Sequence, residues 1–335
     1  MTLSGPVTPE YLRSWARHTH RSPLYAHLID VTIGNPELMR VIKRIDNRPP
    51  PNVYLAAIHY LLMEGRSPRL ARFYQSLVDD PLPVTEVDDA FVEFVLEHEE
   101  EIVDLANRRY TQTNECRRCV ALLPGIMTSP FDKFHLVEVG TSAGLNLALD
   151  RYRYHFAGLE WGPASTVHLT AGVRGAPPRL RPIEIGTRVG IDLNVIDRND
   201  EGDRQWLDAL IWPEHEERRV RLRRALELTA GMDLELVEGS VLDELEQVLD
   251  TLPALEPVVV MNSFVLIQLD AAQRREVELI VDGARKRRPI YRVSFELIDK
   301  DDDWARLEVG DELELSDLGR AHPHGEWVDL DYSAL

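Results

Sequence analysis

The sequence predicts an α/β protein, a doubly wound, mostly parallel sheet that follows an all-helical N-terminal region. Three observations predict it. From about residue 134, short continuous apolar runs ("HLVEVG", "RVGIDL", "DLELVEG", "PVVVMNS", "IYRVSFELI") alternate with helical stretches, as strands buried on both faces do. Before about residue 125 helical periodicity dominates and strand signal is almost absent. Between them "FHLVEVGTSAGLNLALDRY" (134–152) joins a strand to a helix through the turn Gly-Thr-Ser-Ala-Gly. The chain is therefore expected to divide into a helical region over 1–125, either a separate domain or a lid, and an α/β domain over 126–335.

In the first region "PNVYLAAIHYLLME" carries a helical apolar face after the proline-rich "NRPPP", and "VDDAFVEFVLEHEEEIVDLANRR" repeats the pattern with acids on its polar face. "TNECRRCVALLPGI" reads as a helix capped by Thr113 or Asn114 and ending near Pro124. No fixed-period repeat supports a solenoid. In the second region the helices are "AGLNLALDRY", the long "DRQWLDALIWPEHEERRVRLRRALELTA", "SVLDELEQVLD" and "AAQRREVELIVDGARKR". An insertion at about 153–188 holds Gly, Pro and short β-like pieces near the first crossover, where it can cover a ligand site. The tail offers "ARLEVGDELEL" and "GEWVDLDY" as strands, and the acidic "DKDDD" (299–303) reads as a solvated turn.

Composition narrows the function. With 335 residues, 44% hydrophobic and 28% charged, the chain can bury a sizeable core. A formal net charge of -19 argues against nucleic acid or an anionic membrane as partner. The basic "RRVRLRR" (218–224) follows "EHEE" and reads as a solvated helix face. No signal-peptide core opens the chain, and "PVVVMNSFVLIQL" is too short and too polar to span a bilayer. The only cysteines, Cys116 and Cys119, point to a cytoplasmic protein. Zinc would need a second pair of ligands, so no metal is expected. A redox pair would normally open a helix after a strand.

The turn after the first strand is the candidate site. In open α/β sheets, ligands bind outside the carboxyl ends of the strands, at the switch point. Gly140 and Gly144 permit backbone conformations that a Cβ obstructs, and amides opening the next helix would favour an anion. Neither the dinucleotide fingerprint nor the P-loop is present. The segment resembles the first motif of class I S-adenosylmethionine-dependent methyltransferases, acidic-x-Gly-x-Gly-x-Gly. Glu138, Gly140, Ser142 and Gly144 match it, with Thr141 in the turn and serine in place of the middle glycine. "RVGIDLNVID" is similar to the second strand of that fold, which implies ribose binding by Asp192. "ELVEGSVLDEL" is similar to the third, with Gly239 and Ser240 at a usual Gly-Asp pair on the adenine side. "PVVVMNSFVLIQL" resembles the fourth, which places Asn262, Ser263 and Phe264 near the transferred methyl.

The chain also resembles an uncharacterised bacterial family, domain of unknown function 2332, in "RSPLYAHL", "RRYTQTNECRRCVALLPG", "LVEVGTSAGLNLALDRYRY", "GIDLNVID" and "HPHGEWVDL". That resemblance implies helices before a methyltransferase-like Rossmann core and brings no activity with it.

Other residues extend the candidate site. Glu138 can order loop amides, accept from the cofactor's ammonium group, or simply cap the turn. Asn146 either lines the site or belongs to a helix surface. Asn114, Glu115 and Arg118 lie close together at helical spacing, for contact with substrate or for a polar network. Histidine's unperturbed pKa suits proton transfer, so His324 is read either as a base or as an exposed loop residue, with His322 beside it. His59, Tyr60, Trp206, Trp212 and Trp304 read as packing residues.

The expected function is methyl transfer from S-adenosylmethionine to a small molecule, with Asn262 and His324 as the catalytic candidates. The missing Asn-Pro-Pro-Tyr motif argues against amino-methylating DNA enzymes. Two alternatives stay open: a non-catalytic binding or regulatory protein, which the Ser142 and Ser240 departures motivate, and another enzyme of this fold, such as a nicotinamide-dependent oxidoreductase or an aminopropyl transferase.

Overall fold

The computed structural model describes residues 6–17, 22–298 and 303–335. The acidic run at 299–303 lies outside them apart from Asp303. The chain forms two units, Met1–Thr113 with Asn199–Arg223, and Asn114–Arg198 with Arg224–Leu335. This differs from a single division at residue 125. Residues 114–125 group with the sheet, and a segment from within the α/β sequence groups with the helices.

Proline and its neighbours start the helices of the first unit. Pro23, Pro36, Pro50 and Pro68 each occupy a first helical turn, where the missing N–H costs nothing. Ser22, Asn35 and Ser67 cap three of these helices by accepting backbone N–H groups. The helix Pro50–Met63 is buried nearly all round, and its sequence is apolar all round. Two of the long helices expected from periodicity are broken. One splits at His98 into Asp88–Glu97 and Glu99–Arg108. The other splits around Pro213 into Glu201–Ala209 and Glu216–Thr229, because proline cannot donate to the helical ladder. Trp206 is buried in this unit's core, with its indole N–H donating to the Tyr110 carbonyl at 2.9 Å.

The second unit is built on one sheet of eleven strands. In chain order they are β1 (Lys133–Val139), β2 (Arg153–Phe156), β3 (Leu159–Trp161), β4 (His168–Val173), β5 (Glu184–Asp192), β6 (Glu235–Glu238), β7 (Val258–Ser263), β8 (Ile290–Glu296), β9 (Ala305–Gly310), β10 (Ser316–Ala321) and β11 (Trp327–Leu330). They lie in the order β3-β2-β4-β11-β10-β9-β8-β7-β1-β5-β6. Strands β6, β5, β1, β7 and β8 are mutually parallel, and β8 to β11 run antiparallel to one another in turn. The chain therefore winds from β1 outward through β5 to β6, then returns past β1 to β7 and β8. The reversal sets a topological switch point at the carboxyl ends of β1, β5 and β7, the place where open α/β sheets bind ligands.

Helices cover both faces of this sheet. Val241–Thr251 and Ala271–Arg285 pack on each other and against β5 and β8. Their apolar sides meet Val137, Val139, Val189, Ile191, Val258 and Val260. On the other face the helix Cys119–Met127 is buried at every residue, and β4, β8, β9, β10 and β11 all touch it. Gly125 makes that approach possible, since a Cβ there would sit 2.7 Å from Val293 Cγ1.

The structure corrects three further expectations. The insertion at 153–188 supplies β2 to β4 and so extends the sheet edge beyond β11, instead of forming a flap. The stretch after the glycine turn is a short 3-10 segment, Leu145–Arg151, with non-helical dihedrals at Ala148. The "TNECRRC" helix begins as a 3-10 turn, Cys116–Arg118, capped by Glu115 instead of Thr113 or Asn114.

Candidate functional site

The residues at this switch point are organised around Glu138. Val137 and Val139 face the core on one side of β1, so strand alternation sends Glu138 to the other. Its carboxyl is buried, accepts from the Asn146 amide at 2.8 Å and lies 2.7 Å from the Thr141 hydroxyl, which donates to the ionised acid and accepts from the protonated one. Desolvation pushes its pKa from 4.5 up to about 8, against the pull of those two donors. Near neutral pH it is therefore mostly protonated. Of the roles open to it, it organises the turn through the side chains of Thr141 and Asn146. A protonated acid is also a poor partner for a cofactor ammonium group.

Asn146 continues the network, accepting from the Cys119 thiol at 3.3 Å through its side-chain oxygen. Both cysteines are buried outside any disulfide, and burial pushes the Cys119 thiol well above its usual range. Cys119 is thus a hydrogen-bond donor inside the protein, in a state unsuited to nucleophilic chemistry.

The turn itself is fully hydrogen-bonded. The amides of Gly140 and Thr141 both donate to the Ile191 carbonyl, at 2.8 and 3.2 Å. The Ser142 amide donates to Asp192 Oδ2 at 2.8 Å, and the Ala143 amide to Asn114 Oδ1 at 3.2 Å. The Gly144 amide closes back on the Thr141 carbonyl at 2.9 Å. All five amides are used within the protein. With only a 3-10 segment after them, the expected anion cradle is not formed.

Asp192 ends β5 half-buried, and receives the Asn194 amide at 3.0 Å as well as that of Ser142. These two backbone N–H groups fix the orientation of the carboxylate. Gly239 follows β6, with its amide on the Asp192 carbonyl at 2.9 Å. Ser240 caps the helix Val241–Thr251 by accepting the Leu242 amide at 3.2 Å.

On the other side of β1, Asn262 is buried at the end of β7. Its amide donates to Ser294 Oγ at 3.0 Å and to Glu296 Oε1 at 2.8 Å. Glu296 also receives the amides of Val265, Leu266 and Ile267 at 3.0, 3.1 and 3.2 Å. This carboxylate therefore holds the loop after β7, although burial raises its pKa. Sequence reasoning missed Glu296, and the available signal was a lone acid ending an apolar strand in "VSFELI". The loop in turn meets the glycine turn: a Cβ on Gly140 would lie 2.6 Å from Val265 Cβ.

Arg118 joins the remaining candidates. Its guanidinium reaches Ser263 Oγ at 3.5 Å and the Pro323 carbonyl at 3.2 Å, and lies 4.0 Å from the Phe264 ring centroid. Pro323 sits between His322 and His324, so Arg118 connects the end of β7 to the histidine turn. Within that turn the His324 amide donates to His322 Nδ1 at 3.1 Å, and the two rings are 5.9 Å apart. Glu115 accepts the Arg117 amide at 3.0 Å, which makes it a cap. The expected substrate contacts are otherwise brought together: Arg118, Ser263 and Phe264 touch, while Asn114 is tied to Ser142 Oγ at 2.7 Å.

Backbone strain concentrates here. Asn114, Ser142 and Phe264 have φ of 38°, 51° and 59°, conformations that L-residues adopt at a cost and keep where surrounding contacts determine them.

The profile of a family described as uncharacterised proteins conserved in bacteria (DUF2332) matches residues 10–330. No curated protein matches the chain.

Proposed function

We propose, for a chain that belongs to the DUF2332 family, that the switch point at the carboxyl ends of β1, β5 and β7 binds S-adenosylmethionine and that the protein methylates a small molecule. The observation that carries this reading is Asp192. It stands half-buried at the end of the strand beside β1, with its carboxylate oriented by two backbone amides. A carboxylate held at that strand end suits recognition of a ribose diol. The winding of the parallel strands about β1 supports the same location.

S-adenosylmethionine would supply an electrophilic methyl on a sulfonium. The chain's own work is then positioning. Asp192 orients the ribose, and Arg118 with Phe264 frames the far wall next to the histidine turn. His324 takes a proton only if the acceptor must lose one. A non-catalytic binding role is the second reading. It is favoured by the five engaged turn amides and by a protonated Glu138, which together remove the usual anchors for an amino-acid tail.

Calorimetric titration with S-adenosylmethionine and S-adenosylhomocysteine tests both. Micromolar binding that weakens at least tenfold in Asp192→Asn, with a melting temperature near wild type, supports the cofactor site. No heat with either ligand removes it. Binding with no turnover across a panel of acceptors selects the second reading. Gly140→Val is unsuitable as a probe because its side chain would collide with Val265.

A further inference from the structure

Strand β8 is buried along its length, yet every second residue is polar: Arg292, Ser294 and Glu296. Alternation places the three on one face. Antiparallel register sets Glu308 opposite Ser294 and Arg306 opposite Glu296 on that same face. It opens into a cavity of about 590 Å³, whose other wall is the helix Ala271–Arg285 with Arg274, Arg275 and Glu278. That volume lies within the range of small-molecule sites.

Most charges here are internally matched. Glu296 is occupied by the loop after β7, Arg275 pairs with Glu278 at 3.0 Å, and Arg306 lies 3.8 Å from Glu308 and 3.7 Å from Asp317. Arg292 is not. Only 5% of it is exposed, and among the described residues its side chain makes no hydrogen bond or ion pair. Burial lowers its pKa. Glu278 and Glu308 oppose that only from beyond ion-pair distance, and the Arg285 charge adds to it. All three guanidinium nitrogens of Arg285 are themselves buried without a hydrogen bond. Holding an unpartnered guanidinium out of water is costly. An anion in the cavity would offset that cost, in a chain whose net charge is otherwise -19.

We infer that this cavity binds a small molecule bearing a carboxylate or a phosphate, anchored on Arg292. A planar guanidinium grips either group through two parallel N–H donors. Ser294 is a second donor: its oxygen accepts from Asn262 at 3.0 Å, which leaves its own hydrogen to give. Glu278 and Glu308 face the part of the ligand that carries hydroxyl or amino groups. The site adjoins Asn262 through Ser294 and Glu296, but the inference does not depend on the methyltransferase reading.

The test is thermal melting and calorimetry of the whole protein with inorganic phosphate or malonate, at constant ionic strength set with chloride. A saturable rise in melting temperature with one of them is expected, and the probe that saturates at lower concentration identifies the anionic group. The rise should vanish in Arg292→Met, and Arg292→Lys should bind at least tenfold more weakly. Ser294→Ala should bind severalfold more weakly. Without ligand, Arg292→Met should melt no lower than wild type, since it removes a charge with nothing to pair with. The inference is overturned if neither probe gives a saturable rise, or if the rise persists in Arg292→Met. It is equally overturned if Arg292→Met melts far below wild type or fails to fold, because Arg292 would then be satisfied within the structure.

Discussion

Replacing Glu138 by Gln should make the protein more stable, by an amount that depends on pH in a defined way. Burial raises the Glu138 pKa from 4.5 to about 8. In the unfolded chain the same group titrates near its ordinary value. Below pH 4.5 both states are protonated and no stability is lost. As pH rises, the unfolded chain releases its proton first, so the native state binds more protons and stability falls. The loss runs between about 4.5 and 8 at roughly 1.4 kcal/mol per pH unit, and totals about 5 kcal/mol above that window. Gln has no proton to lose. Its oxygen can accept from Asn146, and its amino group can donate to Thr141 Oγ1, as the protonated acid would. Urea-unfolding midpoints and slopes of wild type and Glu138→Gln at each pH from 5 to 9 measure the difference. The advantage of the variant should grow by about 2.5 kcal/mol from pH 5 to 7 and level off above 8. Parallel pH curves for the two proteins would refute the reasoning, since Glu138 would then be ionised in the folded state at neutral pH.

Glu296→Ala strands the Asn262 amide and three loop N–H groups, and should cost about 3–4 kcal/mol by urea unfolding; it should also raise hydrogen exchange at Val265 to Ile267. Asp208→Ala removes the close ion-pair partner of the buried Arg219 in the helical unit and leaves it, as an ion pair, only the looser 3.7 Å contact with Glu216. A loss of about 3–5 kcal/mol in denaturant titration is expected. Ser142→Gly relieves a left-handed φ but removes the acceptor for Asn114, effects of about 1 kcal/mol each with opposite sign; its melting temperature should stay within a few degrees of wild type. Asn114→Ala keeps the strain and also orphans the Ala143 amide, so it should cost about 2–3 kcal/mol.

The parts of the fold that follow from local pattern were legible. Five apolar runs and the helices between them announce the parallel strands, because strands buried on both faces have no polar side to disguise. Strand β10 escaped notice because Ser316, Asp317, Gly319 and Arg320 break up its apolar signal, and only its pairing with β9 and β11 makes it a strand. The grouping of residues 199–223 with the N-terminal helices is a long-range fact that no window of sequence carries. The site followed the same rule. Glu138, Asp192 and Asn262 could be located as polar ends of apolar strands. Glu296 could have been found the same way, but its meaning lies in four donors that converge from β7 and the loop behind it. The state of the turn amides was illegible, since their acceptors, Ile191, Asp192 and Asn114, come from other segments.

Those engaged amides also change the meaning of Ser142. As a departure from glycine it suggests a degraded cofactor loop. In the structure its hydroxyl receives the Asn114 amide, while Asn114 Oδ1 holds the Ala143 N–H. The two strained residues thus fix each other, and a glycine at 142 would leave Asn114 with one tie fewer. A turn held by five internal amide bonds presents a ligand with a preformed surface and no backbone donors. Under the proposed function, recognition there comes from side chains, namely Asp192 on one flank and Arg118 on the other. A ligand with donors at one end and an acceptor or π-face at the other suits that arrangement better than a dinucleotide pyrophosphate, which needs the amides this turn has already committed.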